Sequence, residues 1–321
     1  MPHFTFFTLS FHYFSTIYKQ HRNPTKKGVL RRISLYLHYK SNKISIMETE
    51  NSSKDKINID EILDKKIPKI KKRIPRFLIN WLKKIIHEDE INYIFRTYGH
   101  LWGHDFAETV LRDHFRIRFN IVGEENIPQD PKVIFASNHP LGGADGIALI
   151  QVLTNHYKQL QVPVNDFLMY VDNLKEFFIP ISKIGGQARN TGELINEACE
   201  SDAAILFFPA GQCSRRQKDG KIKDNEWKKT FIKKAVQYHR NIIPLYFEGQ
   251  NSKFFYNLAY YRSKLGIKVN IEMLFLADEL FKQKDKTFTV KIGDPIPYET
   301  FTKERTESEW AEWVKQKTYS L

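Results

Sequence analysis

The sequence predicts an α/β fold: a mostly parallel central sheet covered by helices, with an N-terminal amphipathic helical segment. Three observations carry that expectation. The apolar runs Lys132–Ala136, Ala203–Phe208 and Ile242–Phe247 lack the alternation of a half-exposed strand, so both of their faces should be covered. Helix-length stretches separate them, as crossovers between parallel strands require. Glycine-rich turns follow two of the runs, where open parallel sheets form their ligand crevices.

In chain order, residues 1–46 hold eight bases and no acid, are rich in aromatics, and show neither helical nor strand period. They are expected to be an upstream extension or disordered, with Met47 as the initiator and 47–64 as a polar leader. Residues 65–115 form a basic amphipathic segment. Nine bases and no acid lie between Lys65 and Lys84. Pro75 suits a first helical turn, and Phe77, Leu78, Trp81, Leu82, Ile85 and Ile86 then recur at helical spacing in one stripe. Phe77 and Trp81 on that stripe, with Lys83 and Lys84 beside it, are the candidate contacts with an anionic membrane surface. A helix packing the same stripe on its own domain is the alternative.

Residues 116–321 carry the sheet. After the strand at Lys132–Ala136, a helix is expected over Gly146–His156. Another starts near Thr191, capped by Asn190 or Thr191, and leads into the strand Ala203–Phe208. Glu226–His239 reads as a helix before the strand Ile242–Phe247. Asn270–Phe275 and Thr287–Ile292 read as later strands, and Glu304–Lys317 as a closing helix with Trp310 and Trp313 packed inward.

Composition narrows the function. The net charge of +13 sits in the two N-terminal patches, leaving the body of the chain slightly acidic, which argues against a nucleic-acid groove across the fold. Two cysteines, Cys199 and Cys213, exclude a disulfide scaffold and a thiolate zinc module. His100 and His104 have the spacing of a metal pair, but no glutamate adjoins His100 and two glycines weaken the helix, so no metal is expected. No stretch approaches the ~18 continuous apolar residues of a membrane-crossing helix.

Two strand-end turns hold the candidate site. In Asn138-His139-Pro140-Leu141-Gly142-Gly143-Ala144-Asp145, Asp145 can orient the His139 imidazole and stabilise it once protonated, as activation of a hydroxyl requires. Gly142 and Gly143 let the backbone bend toward a substrate. In Phe208-Pro209-Ala210-Gly211-Gln212-Cys213-Ser214-Arg215-Arg216, a glycine turn, a hydroxyl and two guanidiniums suggest an anion pocket.

These segments, with Ile184-Gly185-Gly186-Gln187-Ala188-Arg189-Asn190, Ile242-Ile243-Pro244-Leu245, Phe247–Ser252 and Gly293–Pro297, resemble the ordered motifs of the lysophospholipid acyltransferase superfamily between about Pro75 and Tyr298. The resemblance implies an acyltransferase domain over 116–321. It would transfer a fatty acyl group from acyl-CoA or acyl-carrier protein to a lyso-lipid hydroxyl, at the cytoplasmic face of a membrane and without a cofactor. His139 and Asp145 would be catalytic. Asn138, Gly142, Gly143, Arg189, Gly211, Ser214 and Arg215 would bind substrate. The sequence departs from the family pattern in having five residues between His139 and Asp145 instead of four, and Ala210 and Cys213 where the third motif has Glu and Arg. That version is similar to a bacterial branch with hemolysin-like proteins and aminolipid-synthesis enzymes. The expected acceptor is 1-acyl-glycerol-3-phosphate; the alternatives are a lyso-aminolipid acceptor, or a non-catalytic membrane-binding protein that retains the fold.

Overall fold

The computed structural model describes residues 57–321 except 67, 166–167, 182–186 and 268–269, with the backbone alone described at 66, 69–70, 170 and 187–190. The expectations for residues 1–46 and for most of the polar leader lie outside the described residues.

Strands β1 (Arg118–Val122), β2 (Val133–Ser137), β3 (Leu160–Asn165), β4 (Phe178–Ile181), β5 (Ala204–Phe207), β8 (Asn241–Phe247) and β9 (Thr287–Ile292) form one sheet in the order β1-β9-β8-β2-β5-β3-β4. A separate short hairpin pairs β6 (Arg215–Arg216) with β7 (Ile222–Lys223). All neighbours in the large sheet are parallel except β8 and β9. The mostly parallel sheet expected from the apolar runs is therefore present, with one antiparallel joint.

The reason for those runs is visible in β2 and β5, where every residue is buried. Val133 and Phe135 of β2, with Ala204 and Leu206 of β5, enter the core on one face. Ile134, Ala136, Ile205 and Phe207 enter the core on the other. Helices cover both faces, so no residue of these strands meets water.

Among the described residues the α-helices longer than four residues are α1 (Ile59–Lys66), α2 (Arg76–Ile86), α3 (Glu88–Tyr98), α4 (Gly103–Thr109), α5 (Gly143–Thr154), α6 (Gln187–Glu200), α7 (Thr230–Tyr238), α8 (Lys253–Lys264), α9 (Leu276–Phe281) and α10 (Glu307–Tyr319). Several boundaries differ from expectation. Pro75 caps α2 rather than standing in its first turn. Helix α5 begins three residues early, because Gly142 at φ 87° turns the chain straight into it. Helix α6 starts at Gln187, before Thr191, whereas α7 starts late, at Thr230. The closing helix runs from Glu307, after a reciprocal capping box between Thr306 and Glu309.

One element is corrected. Asn270–Phe275 is not a strand: Ile271–Phe275 is a 3-10 turn leading into α9. Short apolar runs do not declare their period. Here the deciding residue is Glu272, fully buried and paired with Arg215 (3.1 Å) and Arg262 (2.8 Å).

Helix α2 is tied to this body at its end. His87, in the left-handed region at φ 58°, returns its backbone N–H to the carbonyls of Lys83 and Lys84. Its ring stacks on Phe281 of α9 with centroids 4.2 Å apart, and its Nε2 lies 3.1 Å from Asp278 Oδ1.

Candidate active site

Strand β2 delivers the first turn to the middle of the sheet, between β8 and β5. Asn138, the residue after the strand, is buried and spends its side chain on the backbone of β8. Its Nδ2 donates to Phe247 O (3.0 Å), and its Oδ1 accepts from Phe247 N (2.7 Å). Asn138 thus splices two strand ends.

His139 leaves the sheet there and stands against Phe208, the residue after β5, with ring centroids 4.1 Å apart. Asp145 lies in the first turn of α5 and is fully buried. Its Oδ2 accepts from Leu141 N (2.9 Å) and faces His139 Nδ1 at 3.1 Å, while Oδ1 accepts from Gly146 N (2.8 Å). A carboxylate held by two backbone N–H groups acts as an acceptor. It places the imidazole proton on Nδ1 and leaves Nε2 with its lone pair. The five-residue spacing between His139 and Asp145 is absorbed by the Gly142 turn. A Cβ at Gly142 would come within 3.0 Å of Leu276 in α9, so the turn needs both the positive φ and the missing side chain. Gly143 has open space around it.

Burial works against a charged imidazole at His139. The Asp145 charge and hydrogen bond, with Asp224 adding to them and Arg215 opposing, outweigh it and hold the pKa above the ordinary histidine value.

The second turn arrives beside the first. Gly211 takes φ 67°, and a side chain there would meet Lys228 Nζ at 3.0 Å. Ala210, where the third motif of the superfamily has an acid, is buried among apolar side chains on the α7 side of the sheet. Ser214 and Arg215 are engaged within the protein. Ser214 Oγ donates to Asp224 Oδ1 (2.6 Å). Arg215 is buried, donates to Cys213 O (2.8 Å), pairs with Glu272 and lies over the Phe255 ring. In this geometry both side chains, expected in an anion pocket, are engaged within the protein, and Arg215 ties β6 to α8 and to the turn at Ile271–Phe275. Arg189 lies in α6 with its side chain outside the described residues.

Sequence reasoning missed Asp224, Trp227 and Lys228. Asp224 and Lys228 take their meaning from His139 and Gly211, 85 and 17 positions earlier in the chain, and Trp227 takes its meaning from Asp224, so no local spacing signals them. His104, half of the histidine pair, bonds through Nδ1 to Thr154 Oγ1 (2.7 Å). Among the described residues no group of three metal-ligating side chains occurs.

On α2, Phe77 is 68% exposed and Trp81 49%, and Leu78 is also exposed. Lys84 faces solvent, whereas Lys83 is committed to Asp60 (2.8 Å) and Glu88 (3.1 Å). The open aromatic face continues across the chain: Phe275 meets Trp81 edge-on at 6.1 Å and Phe254 at 5.0 Å. Among the described residues no helix is long and apolar enough to cross a membrane.

With that geometry in place, comparison with known proteins is direct. Residues 61–321 match the model of a family described as acyltransferase. The chain belongs to that acyltransferase family. It is 47% identical over 266 residues, 83% of its own length, to the lyso-glycine lipid O-acyltransferases of Phocaeicola vulgatus and Bacteroides thetaiotaomicron, covering 95% and 97% of those proteins. Among solved structures, PlsC from Thermotoga maritima, a 1-acyl-sn-glycerophosphate acyltransferase, is 15% identical over 76% of this chain and 92% of its own, with a TM-score of 0.39. The membership expected from the ordered motifs holds: the protein is an acyltransferase of the lysophospholipid acyltransferase superfamily.

Proposed function

We propose that this acyltransferase moves a fatty acyl group from acyl-CoA or acyl-carrier protein to the hydroxyl of a lyso-glycine lipid. The observation that carries the reading is the 47% identity to two lyso-glycine lipid O-acyltransferases across nearly their whole length. It favours the aminolipid over 1-acyl-glycerol-3-phosphate. Two features agree with it. The buried Ala210 leaves the second turn without the acid of the superfamily's third motif. Lys228 is exposed, unpaired with any carboxylate among the described residues, and stands over the Gly211 turn, where it suits a glycine carboxylate.

His139 Nε2 takes the proton of the acceptor hydroxyl as its oxygen attacks the thioester carbonyl. The C–S bond then breaks, and the departing thiolate receives the proton from the imidazolium. Asp145 holds the ring and stabilises its charged form; such assistance contributes about 10²–10⁴ in rate. Helix α2 rests at the bilayer interface, with Phe77, Leu78 and Trp81 among the acyl chains and Lys72, Arg73 and Lys84 at anionic headgroups.

The test is acyl transfer by the full chain in mixed micelles, offering lyso-glycine lipid and lysophosphatidic acid with each donor, and His139→Ala alongside. Acylation of lyso-glycine lipid, lost in His139→Ala, is expected, and Lys228→Ala should raise KM for that acceptor. Preference for lysophosphatidic acid would overturn the acceptor assignment, and full turnover by His139→Ala would overturn the base.

A further inference from the structure

We propose that Asp224, on the loop after the β6–β7 hairpin, is a second positioning carboxylate for His139, clamping the histidine from its backbone side as Asp145 does from its ring. This inference rests on the reading of His139 as the base.

Asp224 is 2% exposed, and three donors converge on it. Its Oδ1 accepts from the His139 backbone N (3.2 Å) and from Ser214 Oγ (2.6 Å), and its Oδ2 accepts from Trp227 Nε1 (2.9 Å). The clamp closes on itself, since Ser214 N donates to His139 O (2.7 Å). One carboxylate thus fixes the amide of His139 while its Ser214 partner fixes the carbonyl. The chain terminus secures the loop in turn: Asp224 N donates to Tyr319 Oη (2.8 Å), and Lys315 Nζ donates to Asp224 O (3.0 Å). A carboxylate is a costly way to satisfy donors that a carbonyl would serve equally, unless its charge is used. Here the charge sits at the backbone of a histidine whose ring becomes a cation during turnover. The charged or titratable groups around the pair are Asp145 from α5, Arg215 from β6, Tyr246 from β8, and Lys315 and Tyr319 from α10. Burial pushes the Asp224 pKa up, against the hydrogen bonds from Ser214 and Trp227.

The test measures kcat, KM and thermal midpoint of the full chain between pH 5.5 and 9 for Asp224→Asn, Ser214→Ala, Tyr319→Phe and His139→Ala. Removing the Asp224 charge destabilises the imidazolium, so the acid limb of kcat/KM should move down by about one pH unit. In Asp224→Asn, kcat should fall about tenfold or more with acceptor KM within about twofold, as loss of transition-state stabilisation requires. Ser214→Ala, which removes a donor to the charged form and leaves the fold in place, should move the limb the same way by less. Tyr319→Phe removes the acceptor of the Asp224 amide and a contact with Ser214, but no charge and no donor to the Asp224 carboxylate, and should leave the limb where it is. Folded Asp224→Asn and Ser214→Ala with unmoved limbs would overturn the proposal while leaving His139 as the base. Turnover surviving in His139→Ala would instead remove the reading beneath it.

Discussion

The His139 turn and the α2 face are both made of conspicuous residues, yet they are opposites in how the protein treats them. Around His139 nearly every polar atom is committed: Asp145 to two amides and a ring, Asn138 to the backbone of β8, Ser214 to Asp224. On α2 the large apolar side chains remain open, and the helix is held from its edges by Asp60 and His87. The difference teaches what each region requires. A base must keep one nitrogen in one place with one protonation pattern, so its surroundings are over-determined. A surface in the role proposed for α2, contact with lipid, needs apolar area left unburied by its own fold, so its surroundings are under-filled.

The largest expected effect breaks the over-determined side. Asp145→Asn keeps the shape but removes the charge and presents a donor to Leu141 N or the imidazole. Turnover should fall by about 10²–10⁴. The His139 pKa is raised, and in its proposed role the ring acts when neutral, so activity should rise as pH passes that raised value. In Asp145→Asn, whatever activity survives should rise at lower pH. A pH–rate profile of the two proteins checks both the size and the sign.

Next in size is a stability effect without a chemical one. Asn138→Ala leaves Phe247 N and O buried without their partner, at a cost of about 1–3 kcal/mol. Denaturant unfolding should report that loss, with the pH dependence of residual activity unchanged. A folded protein of normal stability with altered acceptor KM would instead return Asn138 to the substrate.

The smallest effect on the fold belongs to the open face. Phe77→Ala and Trp81→Ala should each weaken binding to anionic vesicles about tenfold, in line with partial burial of a large ring. Each should change folding stability by less than about 0.5 kcal/mol, as substitutions at exposed positions do. Vesicle sedimentation beside thermal unfolding separates the two. A large loss of stability with vesicle binding intact would mean that α2 serves its own domain after all.

Much of this was legible in the chain. The runs at 132–136, 203–208 and 242–247 declare buried parallel strands because a strand covered on both faces can carry only apolar side chains. The His139–Asp145 pair is legible because both residues fall within one strand-to-helix turn, where six positions decide their distance. The stripe of α2 is legible because helical spacing is local. The strand misread at 270–275, the edge strands β1 and β4 and their neighbour β3 lay beyond such reasoning, since short segments take their form from neighbours.

Tertiary structure alone decided which polar residues are free. Ser214 and Arg215 look available in sequence, beside a glycine turn at a strand end. They are spent because Asp224 and Glu272 are brought to them across 10 and 57 positions of chain. Lys83 looks like its neighbour Lys84 but is taken by Asp60, 23 residues earlier. Propensity and periodicity act over a few residues, so the sequence by itself determines elements and local pairs. Whether a charge is answered depends on contacts that exist only after the chain has closed on itself.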